Sequence, residues 1–195
     1  MPKTLLISGS PKPDGNTAQL IGECAKVIQE QGVETEVISF AGMSIQSCTA
    51  CGKCSETGKC EIQDGLNEII EKVRRAQGLI VGSPVYFGTA RGDVMAALQR
   101  IGYISMHSNK FLAGMVGGPI AVARRGGHTL TLQEMLMFFL INDMIVPGSS
   151  YWNMVFGRLP GDVWKDQEGI DTIRHFAANV AKLVKKLNPP ASDAS

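Results

Sequence analysis

Lys3-Thr-Leu-Leu-Ile-Ser-Gly-Ser-Pro-Lys-Pro-Asp-Gly-Asn-Thr17 begins as an apolar run and turns abruptly into a polar, glycine-rich loop. Lys3 to Ser8 reads as a buried strand and Gly9 to Gly15 as a turn. Thr17 to Gln31, with Leu20, Cys24, Val27 and Ile28 on one stripe, reads as a helix. Unpaired N–H groups at that helix start, beside Ser10, Asn16 and Thr17 and with Lys12 adding charge, would surround a phosphate. An ordinary strand-to-helix turn capped by Asn16 or Thr17 accounts for the same residues. The Gly-Lys-Ser/Thr ending of a Walker loop is absent, and so is GxGxxG.

Outward from this unit the pattern repeats. Thr35 to Phe40 predicts a second strand, and 41 to 62 a long irregular segment. Asp64 is placed to cap a helix carrying Leu66, Ile69, Ile70 and Val73. Gly78 to Val81 predicts a third strand ending at Gly82-Ser83-Pro84, followed by a helix over about 90 to 101. Gly118 to Ala123 predicts a fourth strand, closed by Arg124-Arg125-Gly126-Gly127. Thr131 and Glu134 have the spacing of a capping box for a helix with an apolar face. Met144 to Val146 predicts a fifth strand, and 169 to 187 a last helix with Ile173, Phe176, Val180 and Val184 inward. Strands alternating with helices argue for a doubly wound parallel α/β sheet of order 2-1-3-4-5. The crevice then lies beyond the strand ends, at the switch between strands 1 and 3, where 9–17, 83–88 and 124–128 meet.

The 195 residues suit one domain, taken as 1–187 with a cysteine-rich loop at 45–62 and a tail at 188–195. Nineteen basic residues against eighteen acidic ones give +1, so no general attraction to nucleic acid or anionic lipid is expected. The longest apolar run, Met135 to Ile141, is too short to span a bilayer, and the first residues lack an export signal. A cytoplasmic chain with reduced thiols is the expectation.

Four of the five cysteines fall within thirteen residues, Cys48, Cys51, Cys54 and Cys60, spaced C-x2-C-x2-C-x5-C. That density calls for a soft ligand or redox chemistry. A [4Fe–4S] centre needs four thiolates from a short irregular segment, and Gly52 and Gly58 would let the backbone wrap it. Zinc usually takes two separated Cys-x-x-Cys knuckles and fits less naturally; metal-free thiols remain a third reading. Cys24 reads as a core residue.

Pro84-Val-Tyr-Phe-Gly88 combines rigid, aromatic and accessible backbone groups suited to the edge of a flat heterocycle, or to a surface hairpin. Arg124-Arg125-Gly126-Gly127 would close the other side, where an arginine favours negative charge on a reduced flavin or contacts a nucleotide phosphate; a solvated turn is equally consistent. Tyr151 and Trp152 would seal a pocket, form a subunit contact or pack as a structural pair. There is no G-x-S-x-G elbow and no HExxH, and no side-chain catalytic base is assigned.

These residues resemble the iron–sulfur flavoproteins within the NADPH-dependent FMN reductase family, whose fold is flavodoxin-like. The resemblance runs from Lys3 to about Leu187. It rests on Gly9-Ser10-Pro11 with Gly15-Asn16-Thr17, the Cys48/51/54/60 pattern, Gly82-Ser83-Pro84-Val85-Tyr86 and Arg125-Gly126-Gly127. It implies that Ser10, Lys12, Asn16 and Thr17 hold the FMN phosphate, that Pro84, Val85, Tyr86, Phe87 and Gly88 run beside the ring, and that Gly126 and Gly127 approach its other side. It implies that the four cysteines ligate a [4Fe–4S] centre near the flavin. It further implies an FMN-dependent oxidoreductase or electron-transfer protein joining two-electron to one-electron traffic, NAD(P)H as a possible donor, a ferredoxin-like partner or small oxidant, and a homodimer or homotetramer. The alternatives are an NAD(P)H-dependent FMN or quinone reductase whose cysteine loop holds zinc or nothing, and a non-catalytic binding module. Lys12 stands where the family commonly has arginine, which implies a looser phosphate clamp.

Overall fold

The computed structural model describes residues 1–189. The opening apolar run is β1 (Lys3–Ser8), and its side chains alternate: Leu5 and Ile7 enter one half of the core, Leu6 the other. β2 (Glu34–Ser39) and β3 (Gly78–Tyr86) flank β1 in parallel. β3 also forms a hairpin with β4 (Thr89–Ala90) and pairs in parallel with β5 (Val116–Ala123), which pairs in parallel with β6 (Met154–Phe156). The order is β2-β1-β3-β5-β6, with β4 off this path. Five parallel strands therefore follow the expected 2-1-3-4-5 succession of a flavodoxin-like fold.

Helices cover both faces. α1 (Asn16–Glu30) and α6 (Gln167–Leu187) pack Leu20, Ile21, Ile28, Ile173, Phe176, Val180 and Val184 against Leu6, Ile80 and Ile120. The i, i+3, i+4 spacing of these residues is what gives each helix one apolar stripe. After the single turn α2 (Cys54–Thr57) come α3 (Leu66–Arg74), α4 (Gly92–Met106) and α5 (His128–Ile141), whose Leu66, Ile70, Ile101, Met135 and Phe139 cover Leu5, Ile7, Leu79 and Val81. α6 ends where the tail was expected to begin, and the remainder of that tail, 190–195, lies outside the described residues.

Three expectations change. The fifth parallel strand is not Met144 to Val146. Only Ile145 touches the sheet there, in a bridge to Val116, and Pro147-Gly148 then carries the chain away until Met154–Phe156 pairs with Ala121–Ala123. β3 does not stop at Val81: Ser83 and Pro84 still pair with Ala121 and Val122, and Val85 and Tyr86 turn back on Ala90 and Thr89. α5 begins at His128, so Thr131 lies inside it, and Glu134 Oε2 accepts the Ala90 N–H (2.9 Å) instead of closing a capping box.

Candidate functional site

The first loop lies tight against the neighbouring strand. Gly9 N–H donates to Gly82 O (2.8 Å), and a Cβ on Gly9 would collide with Val94 and that carbonyl, so no larger residue lets β1 turn here. Ser10 is buried; its hydroxyl donates to Lys12 O (2.7 Å) and accepts from Lys12 N–H (3.1 Å), which shapes the loop. Gly15 precedes α1 with extended backbone and no side-chain cap, and the first turn of α1 carries no acid. The first N–H groups of α1 are thus left for an anion.

A crevice opens at this point, between the first loop, the end of β3 and the end of β5. Ser10, Lys12, Asn16, Thr17, Pro84, Val85 and Tyr86, all singled out in the sequence, line it. Arg124, read in the sequence as part of the turn that closes this crevice, also lines it, as do Arg158, Gly157 and Pro160, which were not singled out. Three cations and no carboxylate stand among its described walls. Asn16 has a second engagement: its Oδ1 accepts the Gly161 N–H (2.9 Å), tying the start of α1 to the 157–161 segment. Its backbone N–H and its Nδ2, which lies beside Gly157, are what it has left to offer the crevice.

Phe87, Gly88, Arg125, Gly126 and Gly127 border the crevice without lining it. Phe87 (φ 52°) and Gly88 (φ 88°) are the two turn residues of the β3–β4 hairpin, a type I′ arrangement, and the Phe87 ring is fully exposed. Gly127 (φ 90°) fits under this turn, where a Cβ would reach Val85 Cγ1 (2.8 Å) and Gly88 Cα (3.0 Å). His128 is buried away from the crevice, its Nε2 against Val155 O (3.1 Å) and its ring edge-on to Phe156. Burial holds the imidazole below its ordinary pKa. Tyr151 and Trp152 line a separate groove of about 630 Å³ between α5 and the 146–153 excursion. No charged residue lines that groove, so nothing there would neutralise a phosphate.

The four clustered cysteines line one small cavity with Arg100, Tyr103 and Ile104 of α4. Cys54 is buried at the start of α2, Cys60 is half-buried, and Cys48 and Cys51 are exposed. Left-handed Ala50 (φ 54°) and Gly52 (φ 75°) coil the segment, and Ala50 N–H donates to Cys48 Sγ (3.4 Å). Asn67 grips both backbone groups of Cys60, at 2.9 Å each. Burial, with a smaller contribution from the charges of Cys60, Cys48 and Cys51, pushes the Cys54 thiol up.

Arg100 was not singled out, because an arginine inside a helix reads as a solvated side chain. It is 2% exposed and paired with Asp64. Burial opposes the Asp64 charge, but the guanidinium and the Gln46 and Leu66 amides outweigh it and hold the carboxyl below the usual carboxylate range. Among the described residues, no three His, Cys, Asp or Glu side chains converge as a single metal ion would require. The donor set still suits a polynuclear centre: four sulfurs around one cavity, two of them already receiving N–H bonds.

Residues 2–158 match the NADPH-dependent FMN reductase family. An iron–sulfur flavoprotein of Methanocaldococcus jannaschii is 40% identical over 190 residues, covering 94% of this chain and 97% of the relative. The chain belongs to the iron–sulfur flavoprotein family. Another member, from Methanosarcina thermophila, is 33% identical over 92% of this chain and 95% of its own length. Among solved structures, a flavone reductase superposes with a TM-score of 0.73 at 20% identity, over 95% of this chain and 64% of that one. A WrbA-like flavodoxin from Agrobacterium tumefaciens gives 0.68 at 14% identity, over 95% and 99%. These two likenesses bear on the fold alone. Family membership makes the chain an FMN-dependent oxidoreductase. No described helix is long and apolar enough to cross a membrane.

Proposed function

We propose that the crevice at the ends of β1, β3 and β5 holds FMN, and that the chain uses it to exchange electrons with NAD(P)H, a ferredoxin-like protein or a small oxidant such as a flavin or quinone. The observation that carries this is the crevice wall: an uncapped helix start that lines one crevice with Lys12, Arg124 and Arg158, and no carboxylate in that lining. The amides of Asn16 and Thr17 and the Lys12 ammonium would hold the phosphate. The backbone of Pro84 to Tyr86 would border the ring on one side, with Phe87 and Gly88 at its mouth and Arg125 to Gly127 beneath. When bound, FMN supplies two-electron and one-electron chemistry, and the protein's part is orientation, charge and exclusion of water.

For the cysteine loop there are two readings. An FMN or quinone reductase with a metal-free loop is supported by the absence of a converged single-ion site among the described residues and by the match to the FMN reductases. A [4Fe–4S] centre on Cys48, Cys51, Cys54 and Cys60 is supported by their shared cavity, their N–H···S donors and the iron–sulfur names of the relatives. Anaerobic purification with FMN, iron, sulfide and zinc measured on one sample separates them. Equal iron and sulfide carry the cluster; flavin bleached by NAD(P)H in iron-free protein carries the reductase; absence of flavin overturns both. In cluster-bearing protein, Cys51→Ser removes the iron and leaves most of the FMN, and unchanged iron and sulfide would refute the ligation.

A further inference from the structure

We propose that Arg100 is a positioning residue of the thiolate site, anchoring both ends of the cysteine segment and donating its one remaining N–H to the Cys60 sulfur. A guanidinium has five N–H donors, and inside a protein each needs an acceptor. Arg100 satisfies all five. Two go to the Asp64 carboxylate, one from each terminal nitrogen. The others on those nitrogens go to Gln46 O (3.1 Å) and Ile62 O (3.2 Å), the carbonyls just before and just after the four cysteines. Nε–H is left, and it points at Cys60 Sγ (3.2 Å).

Two features distinguish this from a plain structural clamp. Asp64 neutralises the cation, so the sulfur faces an oriented dipole instead of a free charge, and the pair stays buried without an unpaired ion. Nε–H meets a sulfur, a weak acceptor when neutral, while each of the other four N–H groups of the guanidinium meets an oxygen. A thiolate carrying the negative charge of a reduced centre is the acceptor that such a donor stabilises, and hydrogen bonds to ligand sulfurs raise the reduction potential.

The inference rests on the cluster reading of the loop. It is tested on anaerobically purified full-length protein by iron and sulfide content, FMN content and the cluster's midpoint potential. Arg100→Lys keeps a cation but loses the Nε–H; the expected result is a potential shifted to more negative values with FMN content unchanged. Asp64→Asn leaves the guanidinium charge uncompensated, and the potential is expected to move the other way. A clamp with no effect on the sulfur would shift neither, and unchanged potentials in both variants overturn the proposal while leaving the cluster reading intact. If Arg100→Lys loses its iron, the sign of the shift in Asp64→Asn decides; if both lose it with FMN retained, Arg100 is only an anchor of the loop and the proposal fails. Native protein without iron and sulfide overturns the cluster reading itself.

Discussion

At Lys12 a single ammonium faces the crevice where a forked guanidinium would give two parallel bonds to a phosphate. The side chain is exposed, so solvent screens part of its attraction. Lys12→Ala is expected to weaken FMN binding by on the order of tenfold, and Lys12→Arg to strengthen it, as read by flavin fluorescence titration. His128 gives a test in pH. Its folded-state pKa lies below the unfolded value, so the unfolded chain takes up the proton first. The stability it contributes is complete above the unfolded value of about 6.5 and is lost as pH falls below it. The melting temperature is expected to drop between pH 7.5 and 5.5, and to drop less in His128→Gln; equal slopes would refute the assignment. Ser10, Lys12 and Thr17 were legible in the sequence because the loop after the first strand of a doubly wound sheet opens onto the crevice at the switch point. Arg124 was legible only as one of two readings of its turn and Arg158 not at all, since a basic residue in a turn looks the same whether it faces solvent or a crevice. Asp64 and Arg100 stand 36 positions apart, and only the packing of α4 over the cysteine segment unites them.

The β3–β4 hairpin carries a conflict between local preference and placement. A type I′ turn favours Asn-Gly, yet the chain has Phe87-Gly88, with a bulky side chain in left-handed backbone and in open solvent. Phe87→Asn is expected to stabilise the protein by about 1 kcal/mol in urea titration while weakening FMN retention or turnover. Stabilisation with full activity would mean that the ring has no part in the site. The sheet was legible wherever a strand was an apolar run closed by glycine, as in β1. The last strand was misplaced because Met144-Ile-Val and Met154-Val-Phe are apolar triplets of the same length, and only pairing with β5 selects the second. The capping-box reading failed for a related reason: Glu134 is drawn across to β4, a contact 44 positions away.

Across the whole molecule, the two sites meet the same helix at different depths. Arg91, just before α4, donates to Gly9 O (3.2 Å) at the crevice, while Arg100 meets the cysteines about 14 Å further along the axis. α5 is apolar on more than one face: Leu130, Met137, Leu140 and Ile141 are more than half exposed, and Trp152 joins them. A helix apolar all round is normally buried, which supports a second copy of the chain as the partner covering it. Leu140→Glu with Ile141→Lys is expected to lower the sedimentation coefficient to that of a single chain at micromolar concentration; a native protein that already sediments as one chain would refute this.

The broken path of the last strand bears on solubility. Between Ile145 and Met154 the chain leaves the sheet, so that border presents only short pairing stretches. The opposite border, β2, carries Glu34 and Glu36, held by Lys3 and Lys72. The charges on one border and the short pairing stretches on the other disfavour the addition of a further strand at either. Copies of this chain are therefore expected to meet through the apolar face of α5, and not by adding strands at the borders of the sheet.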